Sequence, residues 1–186
     1  MAQLSESPGD YFGARFYQEI NGLVNNRNVL GAEYTHHRRT YELGLLLNRM
    51  KMVSGFVFRH QFFLNSTRPN HNYQIDDYTW RPYLIYHFVY NTNISERYLK
   101  NSIGTGTIRF KQEYPGVPTV NTMEHYLGFG TEVDMVGAFF MNVYVGGGLY
   151  FYRSNSRVVT RDDRLLPEQH IGFTWNMSFG IGYRLH

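Results

Sequence analysis

From His170 to Leu185 the chain alternates between apolar and polar or small residues without a break. The odd positions read Ile171, Phe173, Trp175, Met177, Phe179, Ile181, Tyr183 and Leu185; the even ones read His170, Gly172, Thr174, Asn176, Ser178, Gly180, Gly182 and Arg184. A period of two belongs to β-strand, where successive side chains leave opposite faces of the sheet. The run also far exceeds the usual soluble strand of about 5 to 6 residues. A chain holding such a segment needs a partner strand along its whole length and two different environments on its two faces.

The same parity recurs upstream. Within 137–153, Phe139, Met141, Val143, Val145, Leu149 and Phe151 oppose Asn142, Tyr144, Gly146, Gly148, Tyr150 and Tyr152. Phe12, Ala14 and Phe16 oppose Arg15 and Glu19, and Tyr41, Leu43, Leu45 and Leu47 oppose Glu42, Gly44 and Asn48. Phe56, Phe58, Phe62 and Leu64 oppose Gly55, Arg59, Gln61 and Asn65; Trp80, Leu84, Tyr86 and Phe88 oppose Arg81, Tyr83, His87 and Asn91. Leu127, Phe129 and Val133 oppose Glu124, Gly128, Gly130 and Glu132. A further strand is expected over 97–113, with a bulge where parity slips at Gly104-Thr105-Gly106. Pro82 is expected at a bulge or a strand beginning. The intervening segments alternate in length: long at about 21–39, 66–77, 114–122 and 154–168, short at about 49–52, 92–97 and 134–136.

Eight antiparallel strands joined in this way predict an all-β fold, a closed up-and-down transmembrane β-barrel occupying 1–186 as a single domain. The composition agrees: 186 residues suffice for one such unit, and aromatic residues make up 17% of them. No run of 18 or more apolar residues is present, which excludes a transmembrane helix. The mean hydropathy of −0.42 is no obstacle to a membrane barrel, whose strands average lipid-facing with lumen-facing residues. There is no Cys, so disulfides and thiolate metal sites are absent, and a net charge of +3 is too small and dispersed to argue for nucleic acid. Residues Met1 to Gly9 lack the charged and apolar regions of a secretory leader, so an exported chain is expected to be numbered here from its mature end.

Parity alone leaves open which face points inward. A soluble lipocalin-like barrel would line a ligand cavity with the apolar face. Three features favour the apolar face outside: the glycines on the polar face suit a crowded interior, the strands are long enough to cross a bilayer, and aromatics such as Tyr11, Trp80, Tyr90, Tyr152 and Tyr183 sit near strand ends. The expected lipid-facing set is Phe139, Met141, Val143, Phe173, Trp175, Phe179 and Ile181, and the expected lumen set is Arg15, Glu42, Arg59, Arg81, Glu132 and Arg184. The terminal Gly180-Ile181-Gly182-Tyr183-Arg184-Leu185-His186 resembles the last strand of small outer-membrane proteins of the OmpA/OmpX porin-like superfamily, although Leu185-His186 stands where a final aromatic is usual. That resemblance implies a bacterial outer-membrane location with periplasmic termini.

The lumen charges read first as a packed ionic plug, with a narrow proton or ion path as the functional alternative. His36, His37, Arg38 and Arg39 form the densest basic cluster, placed by this reading in the first long loop as candidate contacts for lipopolysaccharide. His125, His170 and Ser178 are the available catalytic types, but their spacing matches no Ser-His-acid arrangement of lipid-modifying barrels. The expected function is therefore non-enzymatic, without cofactor or metal: a structural or accessory subunit of a larger outer-membrane secretion or assembly complex. Its expected partners are outer-membrane lipids, lipopolysaccharide and other outer-membrane or periplasmic proteins.

Overall fold

Long strands with exposed edges would leave rows of backbone groups unpaired, and this chain removes the problem by joining its first strand to its last. The computed structural model describes residues 10–22, 27–47, 53–64, 73–75, 78–92, 99–100, 107–109, 120–135, 138–154, 158–160, 165–166 and 169–185. Eight long strands form the ring: β1 (Tyr11–Asn21), β2 (Arg27–His36), β3 (Arg39–Leu47), β4 (Gly55–Phe63), β5 (Tyr78–Asn91), β6 (Val120–Asp134), β7 (Phe139–Ser154) and β8 (Gln169–Leu185). Each pairs antiparallel with the next, and β1 pairs antiparallel with β8, so the barrel is closed.

The register is unbroken in every pair. Phe12 faces Leu185 and Asn21 faces Asn176 at the two ends of one ladder, with no extra residue between. Pro82 therefore needs no bulge, contrary to one of the two expectations for it. Its carbonyl accepts from Leu64 N at 3.0 Å, so its missing donor falls on that same side, just past the last β4–β5 register pair, Phe63 and Tyr83. Followed at right angles to the strands, the row from Phe16 passes Leu30, Leu45, Phe56, Tyr90, Met123 and Phe151 to Ile171, ten residues from Phe16's own neighbour Ile181. That stagger tilts the strands by about 41° and sets a backbone radius of about 8 Å, given usual strand spacing and rise.

Two expectations about the strands are corrected. The segment 21–39 is not one long loop, because it contains β2 and the two-residue turn His37-Arg38 that leads into β3. His37 takes the turn's positive φ of 52°. The segment 97–113 supplies no barrel strand among the described residues. Only Leu99–Lys100 and Thr107–Arg109 are described there, and with Val158–Thr160 and Leu165–Leu166 they form a separate four-stranded antiparallel sheet. The expected bulge at Gly104-Thr105-Gly106 lies outside the described residues.

Both chain ends leave the same rim, together with the connections 37–38, 64–77 and 135–138; the opposite rim carries 22–26, 48–54, 92–119 and 155–168. The strands are nearly flush at the terminal rim. At the other, β6, β7 and β8 continue about 13 Å beyond β1 to β4, by the same lattice geometry.

Most charged and polar residues of the strands point inward, joined there by Leu46, Phe63, Ile85 and Phe140, while most bulky apolar ones point outward, the reverse of a lipocalin-like arrangement. Inside, aromatic rings lie across glycines directly opposite them: Tyr83 on Gly130, Phe140 on Gly182 and Tyr150 on Gly172. Any Cβ at these glycines would collide with the ring, which is why small residues recur on the polar face of the sequence. Adjacent glycines give a test. A methyl group on Gly148 would land on the backbone carbonyl of His125, held in the β6–β7 ladder, whereas one on Gly147 meets nothing within 4 Å. Gly148→Ala is expected to destabilise the barrel by about 1–3 kcal/mol and Gly147→Ala to leave it unchanged or slightly firmer, as read by urea unfolding.

Candidate functional site

The alternation that builds the strands also delivers eleven charged side chains to the barrel interior among the described residues. They are Arg15, Arg27, Arg59, Arg81 and Arg184 against Glu19, Glu33, Glu42, Glu124, Glu132 and Asp134. An interior of this radius is filled by side chains, and Arg15, Arg59, Tyr17, Tyr83, Tyr126 and Tyr144 are all less than 2% exposed. Charges in such surroundings persist only when paired.

They pair in two nests joined by a bridge. Toward the terminal rim, Glu132 accepts from Arg81 and Arg184, and from Arg15 at 3.3 Å. Asp134 takes the same two outer guanidiniums at 2.8 and 2.6 Å, and Glu33 takes Arg15. Toward the other rim, Glu124 receives both terminal nitrogens of Arg27 at 3.0 and 2.7 Å, besides Tyr126 Oη at 2.6 Å and Thr122 Oγ1 at 3.0 Å. Glu19 lies between Arg27 at 2.8 Å and Arg59 at 2.9 Å, with His87 Nε2 at 3.2 Å. Glu42 bridges the nests, 3.8 Å from Arg15 and 4.0 Å from Arg59. Aromatic faces complete the packing: Arg59 sits 3.7 Å over the Tyr17 ring, and Arg184 4.6 Å over Phe140.

All six residues of the expected lumen set lie in this interior network. Arg27, Glu33 and Asp134 were missed. The first two stand on β2, whose odd positions Arg27, Val29, Gly31, Glu33 and Thr35 carried the only signal; Asp134 was assigned to a turn. The expected lipid-facing residues Phe139, Val143, Phe173, Trp175, Phe179 and Ile181 are 41–68% exposed on the outer face, and Met141, half-buried, shares their parity.

The catalytic types are not brought together. Ser178 is buried inside and accepts from Arg59 at 3.1 Å, whereas His125 faces outward and shares a 2.8 Å hydrogen bond with the Tyr86 hydroxyl. The His170 side chain lies outside what is described. His36 to Arg39 sit at a tight hairpin on the terminal rim, not in a long loop at the opposite one. There His36 Nδ1 lies 2.6 Å from the Asp10 carboxylate, which also accepts from Tyr34 at 2.9 Å; these two hydrogen bonds, that of His36 first, hold the Asp10 carboxyl below its ordinary range. The tie is thus present above the unfolded carboxyl pKa and lost as pH falls through the lowered folded value. No group of three or more His, Cys, Asp or Glu able to hold a metal occurs among the described residues.

Glu132 is the common acceptor of three arginines, so Glu132→Gln leaves buried cations underpaired. The expected loss is about 3–5 kcal/mol in urea unfolding, against less than about 0.5 kcal/mol for Arg39→Gln on the exposed hairpin. Comparison with known proteins adds no relative to this picture: no family model matches the chain, nor does any curated protein or solved structure.

Proposed function

We propose that the chain is an integral barrel of a bacterial outer membrane, with periplasmic termini, serving as a non-enzymatic structural or accessory subunit of a larger secretion or assembly complex. The observation that carries the membrane part is the outer surface. Bulky apolar side chains stand exposed on all eight strands, including Leu127 at 71%, Phe173 at 68%, Phe12 and Leu43 at 63%. No water-soluble monomer tolerates so continuous an apolar surface. Laid out on the strand lattice, this belt is about 25 Å tall, the height of the apolar band of outer-membrane barrels. Trp80, Tyr34 and Tyr183 stand near its lower edge, and Tyr90 and Trp175 near its upper edge, as interfacial aromatics do.

The packed ionic interior argues against passage of large solutes, and the separation of Ser178 from His125 argues against catalysis by that pair. The accessory role rests on a different feature. Tyr41, His60 and Tyr86 are direct cross-strand neighbours on the outer face, and the Tyr86–His125 hydrogen bond extends the stripe across β6. Polar groups facing hydrocarbon are costly, and a neighbouring protein in the membrane would engage them. In this orientation His36, His37, Arg38 and Arg39 face the periplasm, so lipopolysaccharide contact at that cluster is not retained.

Phe179 lies at mid-belt, 56% exposed. In lipid vesicles Phe179→Arg is expected to cost about 2–4 kcal/mol of folding stability, whereas on a water-exposed surface the same change would be nearly neutral. A neutral result, or a protein that stays monomeric without detergent, removes the membrane reading. For the accessory role, extraction from native membranes in mild detergent should yield a defined complex that His60→Leu weakens. A barrel that always runs alone removes it.

A further inference from the structure

The outer surface changes character where β6, β7 and β8 rise past the rest of the barrel. Tyr90, Met123, Phe151 and Ile171 make one cross-strand row over four adjacent strands, each directly opposite the next. They floor a hollow of about 690 Å³. One step further from the terminal rim the next row places Asn121 opposite Arg153, and both line the same hollow. Arg153 is exposed and makes no ion pair with the described residues. On the tilted lattice the apolar row starts at the upper edge of the belt with Tyr90 and climbs to Ile171 about 9 Å above it, with Arg153 at the top of the same slope. An apolar floor capped by a guanidinium that is unpaired among the described residues matches an amphiphile with a hydrocarbon tail and an anionic head, and guanidinium pairs with phosphate through two parallel hydrogen bonds.

We infer that this hollow is a binding site for an anionic phospholipid-type lipid, with an acyl chain on Met123, Phe151 and Ile171 and its phosphate on Arg153. The inference rests on the membrane reading and locates its lipid-headgroup contact at the rim opposite the termini. Satisfying Arg153 there neutralises its charge above the hydrocarbon while the acyl chain runs down the slope to the belt, so the lipid acts as a fixed part of the outer face.

The test reconstitutes the protein in phosphatidylcholine vesicles with and without phosphatidylglycerol, then counts lipids retained after detergent release by native mass spectrometry. Gel mobility with and without heating, run in parallel, reports whether the barrel has folded and inserted. The wild type should retain phosphatidylglycerol in preference to phosphatidylcholine, with no displacement by inorganic phosphate. Arg153→Gln should lower that retention about tenfold, the usual scale of one charged hydrogen-bonded contact. Met123→Trp should lower it by filling the floor without touching the charge, and Arg39→Gln at the other rim should not. Equal retention of both lipids, an unchanged Arg153→Gln, or displacement by phosphate alone overturns the site while leaving the membrane reading in place. Failure of the wild type to insert overturns both.

Discussion

The ladder between Tyr11–Asn21 and Gln169–Leu185 turns a sheet into a ring. Without it, β1 and β8 would each present a full row of unpaired amides and carbonyls, and no lipid environment could satisfy them. Once the ring closes, the bulge-free register and its ten-residue stagger fix the radius, and the radius dictates what the interior can hold. There is room for side chains and no more. Large rings are accommodated because glycine stands opposite them, as at Tyr83 and Gly130, so the pattern of small residues on one face is the imprint of aromatics on the next strand.

The interior also explains how five arginines and six carboxylates coexist away from water. Most have more than one counterpart: Glu132 serves three guanidiniums, Arg59 lies between Glu19, Glu42 and the Tyr17 ring, and Arg27 spans Glu19 and Glu124, whereas Glu33 pairs with Arg15 alone among the described residues. Shared partners spread the desolvation cost over the network. They also bind strands that are not adjacent in the ring, which the backbone ladders alone do not do.

Most of the fold was legible because period two is a direct consequence of strand geometry. It identified seven of the eight strands, and the glycines on the polar face set the inside from the outside. β2 was lost for a physical reason. Its inward Val29 and Gly31 and its outward Leu30 and Ala32 are apolar or small alike, so the two faces do not contrast in the middle of the strand. The turn that follows, His37-Arg38, holds no glycine or asparagine to mark it, although His37 adopts the positive φ that glycine usually supplies. With β2 hidden, Arg27 and Glu33 vanished from the interior, and the basic cluster was assigned to the wrong rim. The opposite error at 97–113 has the same root: alternation over a few residues does not distinguish a barrel strand from short strands that pair outside the ring.

The separations within the ionic network carry a consequence for how this chain can be made. Arg15 meets Glu132, Arg27 meets Glu124, and Arg59 meets Ser178, contacts spanning 117, 97 and 119 residues of sequence. A partly emerged chain has the arginines of its first half without the acids of its second. Neither nest can be completed stepwise from the N-terminus: early pairing of β1 with β2 joins Arg15 to Glu33 and Arg27 to Glu19 but leaves both guanidiniums short of Glu132 and Glu124. Acquisition of structure is therefore late and concerted, waiting on the last strand, with the growing chain kept extended and hydrated until β8 is present to close the ring.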